Sequence, residues 1–482
     1  MKKNLLLALM VLYVVLDLGY TFVQNYQVPL EGDLPSIVLP DAECRYILSD
    51  PFGWAVLARD SVYVGPNRFF AHAGMVSYFK TMPFALQRVT DPISSLYAAC
   101  ALFGVGVQAL LLYLLGVYIT GSYRLSRRGF WLAVVLLVPL FQTAGYNDQM
   151  GIIDRAITYT FFYAFPMALL LLLLLPFYLA AARNEPLRIS WPGRVALVGL
   201  MVVLAFNGAI ITGVVAVLFL GIVLHWMLRH WQMGARFGAA QWLERLRQQP
   251  RLPLALLGLF VLLCLYSLYI GLNEQESTSH ELTLWERYLR IPSGIFWMLR
   301  KLGLPLLILV LVVNAQLIRR RLPSTPESQR ILRILRWVAL FALVYVLLLP
   351  LGGYRDYRPL IVRRDSVLPV LLGLFFCYGL TAHFLLLQLT GNMRCWYLAG
   401  VVVFSGIFIN ADRLWLKENN ACERAGMERL AQATEPVVRL SAECTVMSWW
   451  KINDPQYSET QAQLFEYWGI TKGKKRYYHE GW

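Results

Sequence analysis

Charged residues are scarce in this chain. Only 15% of its 482 residues are Asp, Glu, Lys or Arg, against about 25% in an average soluble domain. Apolar side chains fill the shortfall at 58%, and the mean hydropathy is +0.52. A water-soluble fold with a single core is excluded by that balance. Histidine is scarcer still, with six residues, and His280-Glu281 has no second histidine at metal-ligand spacing, so a zinc-hydrolase motif is absent. A nucleotide fingerprint is missing too: Gly104-Val105-Gly106 lies inside an apolar run, without the strand–turn–helix setting that binds a pyrophosphate. There is no internal repeat and no low-complexity linker.

What the chain has in abundance is apolar runs of bilayer-crossing length. About eleven are readable, at 4–23, 94–118, 130–142, 157–181, 195–206, 209–228, 253–272, 303–318, 336–350, 366–390 and 395–412. The expected fold class is therefore an all-α polytopic membrane protein. The two runs flanking Asn207-Gly208 are also readable as one long kinked helix and a re-entrant piece. The first run follows Met1-Lys2-Lys3 as a signal peptide would, but Asp17 interrupts it and no small-residue cleavage pattern follows, which predicts an uncleaved helix. With the amino terminus in the cytoplasm, Arg124, Arg127 and Arg128, then Arg229 to Arg251, then Arg319 to Arg336 all fall on the cytoplasmic side, as short basic loops do. The expected location is the inner (cytoplasmic) membrane, with the carboxy terminus external. Orientation then accounts for much of the net charge of +15, and no nucleic-acid partner is needed.

The chain divides into a first transmembrane helix (1–23), a long external loop (24–93), a multi-helix body (94–412) and an external carboxy-terminal region (413–482). Loops of that length bind something or form small domains of their own. Within the first loop, Met75, Tyr78, Phe79 and Met82 recur at helical spacing among Lys80 and Arg88, the pattern of a helix lying in the membrane interface. Leu282, Trp285 and Leu289 repeat the design against Glu286, Arg287 and Arg290. In the tail, 458–468 is helix-compatible, and its aromatics together with Trp449-Trp450 read as a minimal core in preference to interfacial anchors. Cys100, Cys264, Cys377 and Cys395 fall in or beside apolar spans and act there as small hydrophobes. Cys422 and Cys444 share the external tail, where a disulfide between them is expected; Cys44, in the first loop, offers a competing connectivity.

Two groups of side chains carry chemistry. Arg355, Arg358, Arg363 and Arg364 cluster after Gly352-Gly353 on the side that short basic loops avoid. Guanidinium forks recognise phosphate bidentately, so the cluster suits a phosphorylated lipid head group; pairing with Asp356 and Asp365, or snorkelling, is the structural alternative. The second group opens the first loop: Glu31-Gly32-Asp33, followed by Asp41 and Glu43. Carboxylates at a membrane surface serve as general bases or bind a divalent cation, although Gly32 between Pro29 and Pro35 is also ordinary turn chemistry.

An acidic-x-acidic motif after the first span, interfacial helices behind it, about a dozen spans and an external carboxy-terminal region resemble the GT-C superfamily of membrane glycosyltransferases. That resemblance implies a polyprenyl-phosphate-linked sugar donor and a lipid, glycan or protein acceptor. It further implies that Asp33, or else Glu31, is the catalytic carboxylate, while the arginines stabilise the departing lipid phosphate. Asp148, in the loop Tyr146-Asn147-Asp148-Gln149, is a candidate for binding the acceptor or a metal, or a helix cap; His72 is a candidate for phosphate or acceptor contact. Competing readings are a lipid-linked oligosaccharide polymerase or ligase, a transporter or flippase, and an envelope assembly subunit. A transporter would place ionisable groups along several spans, whereas Asp17, Asn207, Asn314 and His383 are the main polar candidates and most lie near a span end.

Overall fold

A computed structural model describes residues 2–40, 45–231, 250–277, 281–413 and 419–479. Asp41, Glu43, Cys44 and His280 lie outside the described residues. Among those described, nine helices are long and apolar enough to cross a membrane: Asn4–Tyr26, Pro92–Thr120, Ile157–Arg183, Ala209–Leu228, Arg251–Asn273, Gly303–Arg321, Pro326–Leu351, Leu368–Gln388 and Gly391–Ala411. The chain is an all-α polytopic membrane protein. Two further apolar helices, Arg128–Leu140 and Trp191–Ala205, fall short of that length. At about 1.5 Å of rise per residue, neither spans the roughly 30 Å of a hydrocarbon core. The runs expected at 130–142 and 195–206 are thus helical but not full spans, and the break at Asn207-Gly208 is real: Gly208 has φ +118°, open to glycine alone.

Local chemistry sets the helix ends. Asp91 caps the helix Pro92–Thr120 by accepting a hydrogen bond from the Ser94 N–H, with Pro92 at the first position. Gly121, in the left-handed region, ends it. Leu-rich stretches without a charge then pack side by side, and the buried faces merge into one core through the helices Pro92–Thr120, Ile157–Arg183 and Leu368–Gln388.

The long connections gather at one end of this bundle. Tyr63 bridges to Glu274, Arg355 pairs with Glu274, and Asp412 accepts hydrogen bonds from the Thr143 and Ala144 N–H groups. At the opposite end, Arg183 donates to the Gly121 carbonyl at 2.7 Å.

First loop and tail fold together at the loop end. The helix Phe69–Leu86 forms, but Met75 and Phe79 are fully buried, facing protein. They share a core with Leu34 and Val38 of the helix Asp33–Val38, with Tyr97, and with Met427, Phe465 and Trp468 of the tail. Trp468 donates its indole N–H to the Phe79 carbonyl at 3.0 Å. The helix Leu284–Leu289 does expose its apolar side chains, with Trp285 70% accessible. Within the tail, the helices Ala421–Gln432 and Glu459–Tyr467 flank a parallel pair of strands, Val437–Leu440 and Arg476–His479, and Cys422 is disulfide-bonded to Cys444.

One carboxylate fastens the assembly. Glu423, 2% exposed, accepts the Leu30 N–H and the Tyr97 hydroxyl on Oε2, at 2.8 and 2.7 Å, and the Met447 N–H on Oε1 at 2.8 Å. Burial pushes its pKa up to about 7, against the pull of those donors. Glu423→Ala would strand two buried N–H groups and a phenol, at about 1–3 kcal/mol each. The expected outcome is release of the tail as a protease-sensitive segment at temperatures where the wild-type protein is protected, with the bundle still inserted. Equal protection of the two proteins would show that the apolar core alone holds the tail.

Candidate functional site

The site is built where the first loop passes under the tail. A side chain at Gly32 would strike the Trp449 backbone nitrogen and ring at 2.6 Å, so glycine lets loop and tail touch. Glu31, on one side of it, is 5% exposed and accepts the Asp33 N–H at 2.7 Å, the Thr158 N–H at 3.2 Å and the Thr158 hydroxyl. Burial, reinforced by the neighbouring Asp33 charge, outweighs these bonds and pushes Glu31 up to about 7. Asp33, on the other side, is only partly buried, and its Oδ1 accepts the Trp449 indole N–H at 2.8 Å. The helix Asp33–Val38, which it opens, packs against the segment Ile157–Tyr159.

Thr158 and Tyr159 come from the start of a bundle helix. Residues Thr160–Ala164 form a π-helical turn between the short segment Ile157–Tyr159 and the long helix Phe165–Arg183. Such turns recur at functional sites because they re-aim side chains. Here Thr158 meets Glu31, and Tyr159 meets Arg358, whose guanidinium lies over the ring at 4.9 Å and bonds its hydroxyl.

The four arginines expected to bind phosphate do not present one open face. Arg355 pairs with Glu276 at 2.5 Å and with Glu274 at 3.6 Å, and Glu274 also holds Arg68 at 3.4 Å. Arg363 grips Asp365 with Nε, at 2.7 Å from Oδ1 and 2.9 Å from Oδ2. Arg364 pairs with Asp154 and donates to the Asn147 carbonyl at 3.1 Å. Arg358 is differently placed: its ion pair with Asp365 is 3.7 Å long, and its guanidinium carbon lies over the rings of Tyr159 and Tyr357, 4.9 and 5.6 Å from their centroids. It is the arginine joined through Tyr159 to the surroundings of Asp33.

The remaining candidates make other contacts. Asp148 is in the right loop but pairs with Lys301 at 3.1 Å, and it caps no helix; Asn147 is the residue that meets Arg364. Asn147 also ties its loop together by donating to the Gln142 and Ile153 carbonyls at 2.6 and 2.9 Å. His72 lies 3.0 Å from the Arg68 carbonyl through Nδ1, with its ring tilted against Phe162. Among the described residues, no group of three or more His, Cys, Asp or Glu is arranged to hold a metal ion. The sequence reading passed over Thr158 and Tyr159 and assigned Trp449 and Trp450 to the tail core, whereas both are exposed. The available signal was Thr158-Tyr159-Thr160, polar groups opening a run that is otherwise mostly apolar and rich in leucine and phenylalanine.

Burial pushes the His72 pKa down to about 4. In the folded state His72 is then neutral where an unfolded histidine, with a pKa of about 6.5, takes up a proton. Its contribution to stability is complete above the unfolded pKa and is lost as pH falls towards 4. Melting temperatures of the wild-type protein should therefore drop more steeply between pH 6.5 and 4 than those of His72→Gln, which cannot titrate. Parallel slopes would remove His72 as the acid-sensitive group.

Comparisons with protein-family models, with curated proteins and with solved structures find no match.

Proposed function

We propose that this protein is a membrane glycosyltransferase that moves a sugar from a polyprenyl-phosphate-linked donor to an acceptor hydroxyl at the loop end of the bundle, which faces outward. One observation carries the reading: the helix Asp33–Val38, which opens on a partly exposed carboxylate, packs against the segment Ile157–Tyr159, and Tyr159 is bonded by Arg358, whose ion pair with Asp365 is long. That tyrosine opens a membrane-spanning helix, so the crevice lies where a lipid-borne phosphate travels. Of the polar groups along the spans, Asn314 serves packing: it donates to Thr381 at 2.9 Å and accepts from Tyr397 at 3.0 Å, which does not favour a transport route through it.

In this mechanism the acceptor oxygen attacks the anomeric carbon while the bond from that carbon to the phosphate oxygen breaks. The electron pair leaves on the lipid phosphate, and Arg358 stabilises the charge developing there. The acceptor proton passes to Oδ2 of Asp33, which has no hydrogen-bond partner among the described residues, whereas Oδ1 is held by Trp449. Glu31 acts as a positioning residue: it fixes the Asp33 backbone and clamps Thr158, so that base and arginine keep their spacing. Arg355, Arg363 and Arg364 hold the loop that carries Arg358.

Asp33→Asn keeps the shape and removes proton acceptance. With purified protein and polyprenyl-phosphate sugars, transfer should fall roughly 100-fold or more while donor binding persists. Full activity in Asp33→Asn together with an inactive Glu31→Gln would move the base to Glu31, and full activity in both would end this mechanism.

Arg358→Lys keeps the charge but loses the planar fork that bonds the Tyr159 hydroxyl. Donor affinity should weaken by about tenfold. An unchanged affinity would assign Arg358 to loop structure, like its three neighbours.

A further inference from the structure

Beyond the Asp33 crevice, the tail forms a groove over the same loop, lined by Gly32, Trp449, Trp450, Asn453, Tyr457 and Gln461. Its aromatic rings are displayed: Trp450 is 74% exposed and Tyr457 78% exposed. The tail does not lack a core to hold aromatics, because Phe465, Trp468 and Tyr477 are completely buried in it. Rings left in water beside a well-filled core form a surface that gains apolar contact only when something covers it. The lining is polar as well. Gln461, 8% exposed, donates Nε2 to the Met447 carbonyl at 3.4 Å, while its Oε1 has no hydrogen-bond partner among the described residues. A buried amide oxygen without a donor is costly, and a turn of the Gln461 side chain that gives up its long bond to Met447 would bring that oxygen to a ligand hydroxyl.

Flat aromatic faces interleaved with amide groups suit one chemical class: a pyranose, whose C–H face is apolar and whose rim is hydroxyl. We propose that this groove binds a pyranose ring of the acceptor, stacked on Trp450 and Tyr457, with a ring hydroxyl donating to Gln461 Oε1. The name acceptor rests on the transferase reading; the binding of a sugar here does not. Trp449 connects the two places, since it lines the groove and its indole N–H holds Asp33. A ring seated in the groove thus has its next hydroxyl directed along Trp449 towards the base. A bilayer anchor would need the rings but not the amide lining.

The test uses the full chain in lipid nanodiscs, without donor lipid, and saturation-transfer NMR with the methyl pyranosides of glucose, galactose, mannose and N-acetylglucosamine. At least one of the four should show transfer to its ring protons. The double variant Trp450→Ala/Tyr457→Ala should reduce the signal about fivefold or more, with an unchanged melting temperature because both side chains are exposed. Four pyranosides that all match the double variant would overturn the proposal. So would quenching of the Trp450 emission, taken as wild type minus Trp450→Phe, by brominated phosphatidylcholine, which would give the rings to the bilayer. Because the readout is binding and not glycosyl transfer, an inactive mechanism at Asp33 and an empty groove are separate results.

Discussion

Three distant parts of the chain meet on the Glu423 carboxylate: the loop backbone at Leu30, the bundle helix at Tyr97 and the tail backbone at Met447. Each part alone is short of partners. The first loop has one long helix, Phe69–Leu86, beside several of about one turn, and the tail has two strands of four residues each. A carboxylate taken out of water is tolerated when donors surround it, and the same requirement makes its surroundings rigid. Everything at the loop end inherits that rigidity, because Glu31 and Asp33 follow Leu30 directly and Trp449 follows Met447 by two residues.

The arginines obey the same constraint with a different outcome. Near a low-dielectric membrane each guanidinium must find charge or aromatic surface, and Glu274, Glu276, Asp154 and Asp365 supply most of it. Glu274 lies below the usual carboxylate range although burial alone would raise it, because Arg68, Arg355 and two backbone N–H groups overcome the desolvation. The cluster is thus mostly self-neutralising, and Arg358, shared between a long ion pair and two tyrosines, stands apart from it.

How much of this could be read from the sequence follows from the range of each interaction. Hydropathy is a local property, so every long helix was visible as an apolar run, and the two short ones were overcounted because composition says less about length than about burial. The acidic pair and the arginine segment were visible as residue types. Their partners were not: Arg364 meets Asn147 across 217 residues, and Asp33 meets Trp449 across 416. The tail aromatics show the same limit. Trp449, Trp450 and Trp468 look alike in sequence, yet Trp468 is wholly buried and Trp450 mostly exposed. The stripe of Met75 and Phe79 was legible as a helix face, but whether protein or lipid would cover it depended on a tail more than 300 residues away.

The π-helical turn at Thr160–Ala164 separates two mechanical tasks. Below it, the helix Phe165–Arg183 is locked in rotation by its neighbours, since Leu170, Leu173 and Leu175 are all buried. Above it, Thr158 and Tyr159 take a heading that an unbroken α-helix would not give them. One residue more or less within the turn swings those two side chains by about 100° while the packed helix stays put. Insertion or deletion at that place is therefore a route by which descendants of this chain could re-aim the crevice without rebuilding the bundle.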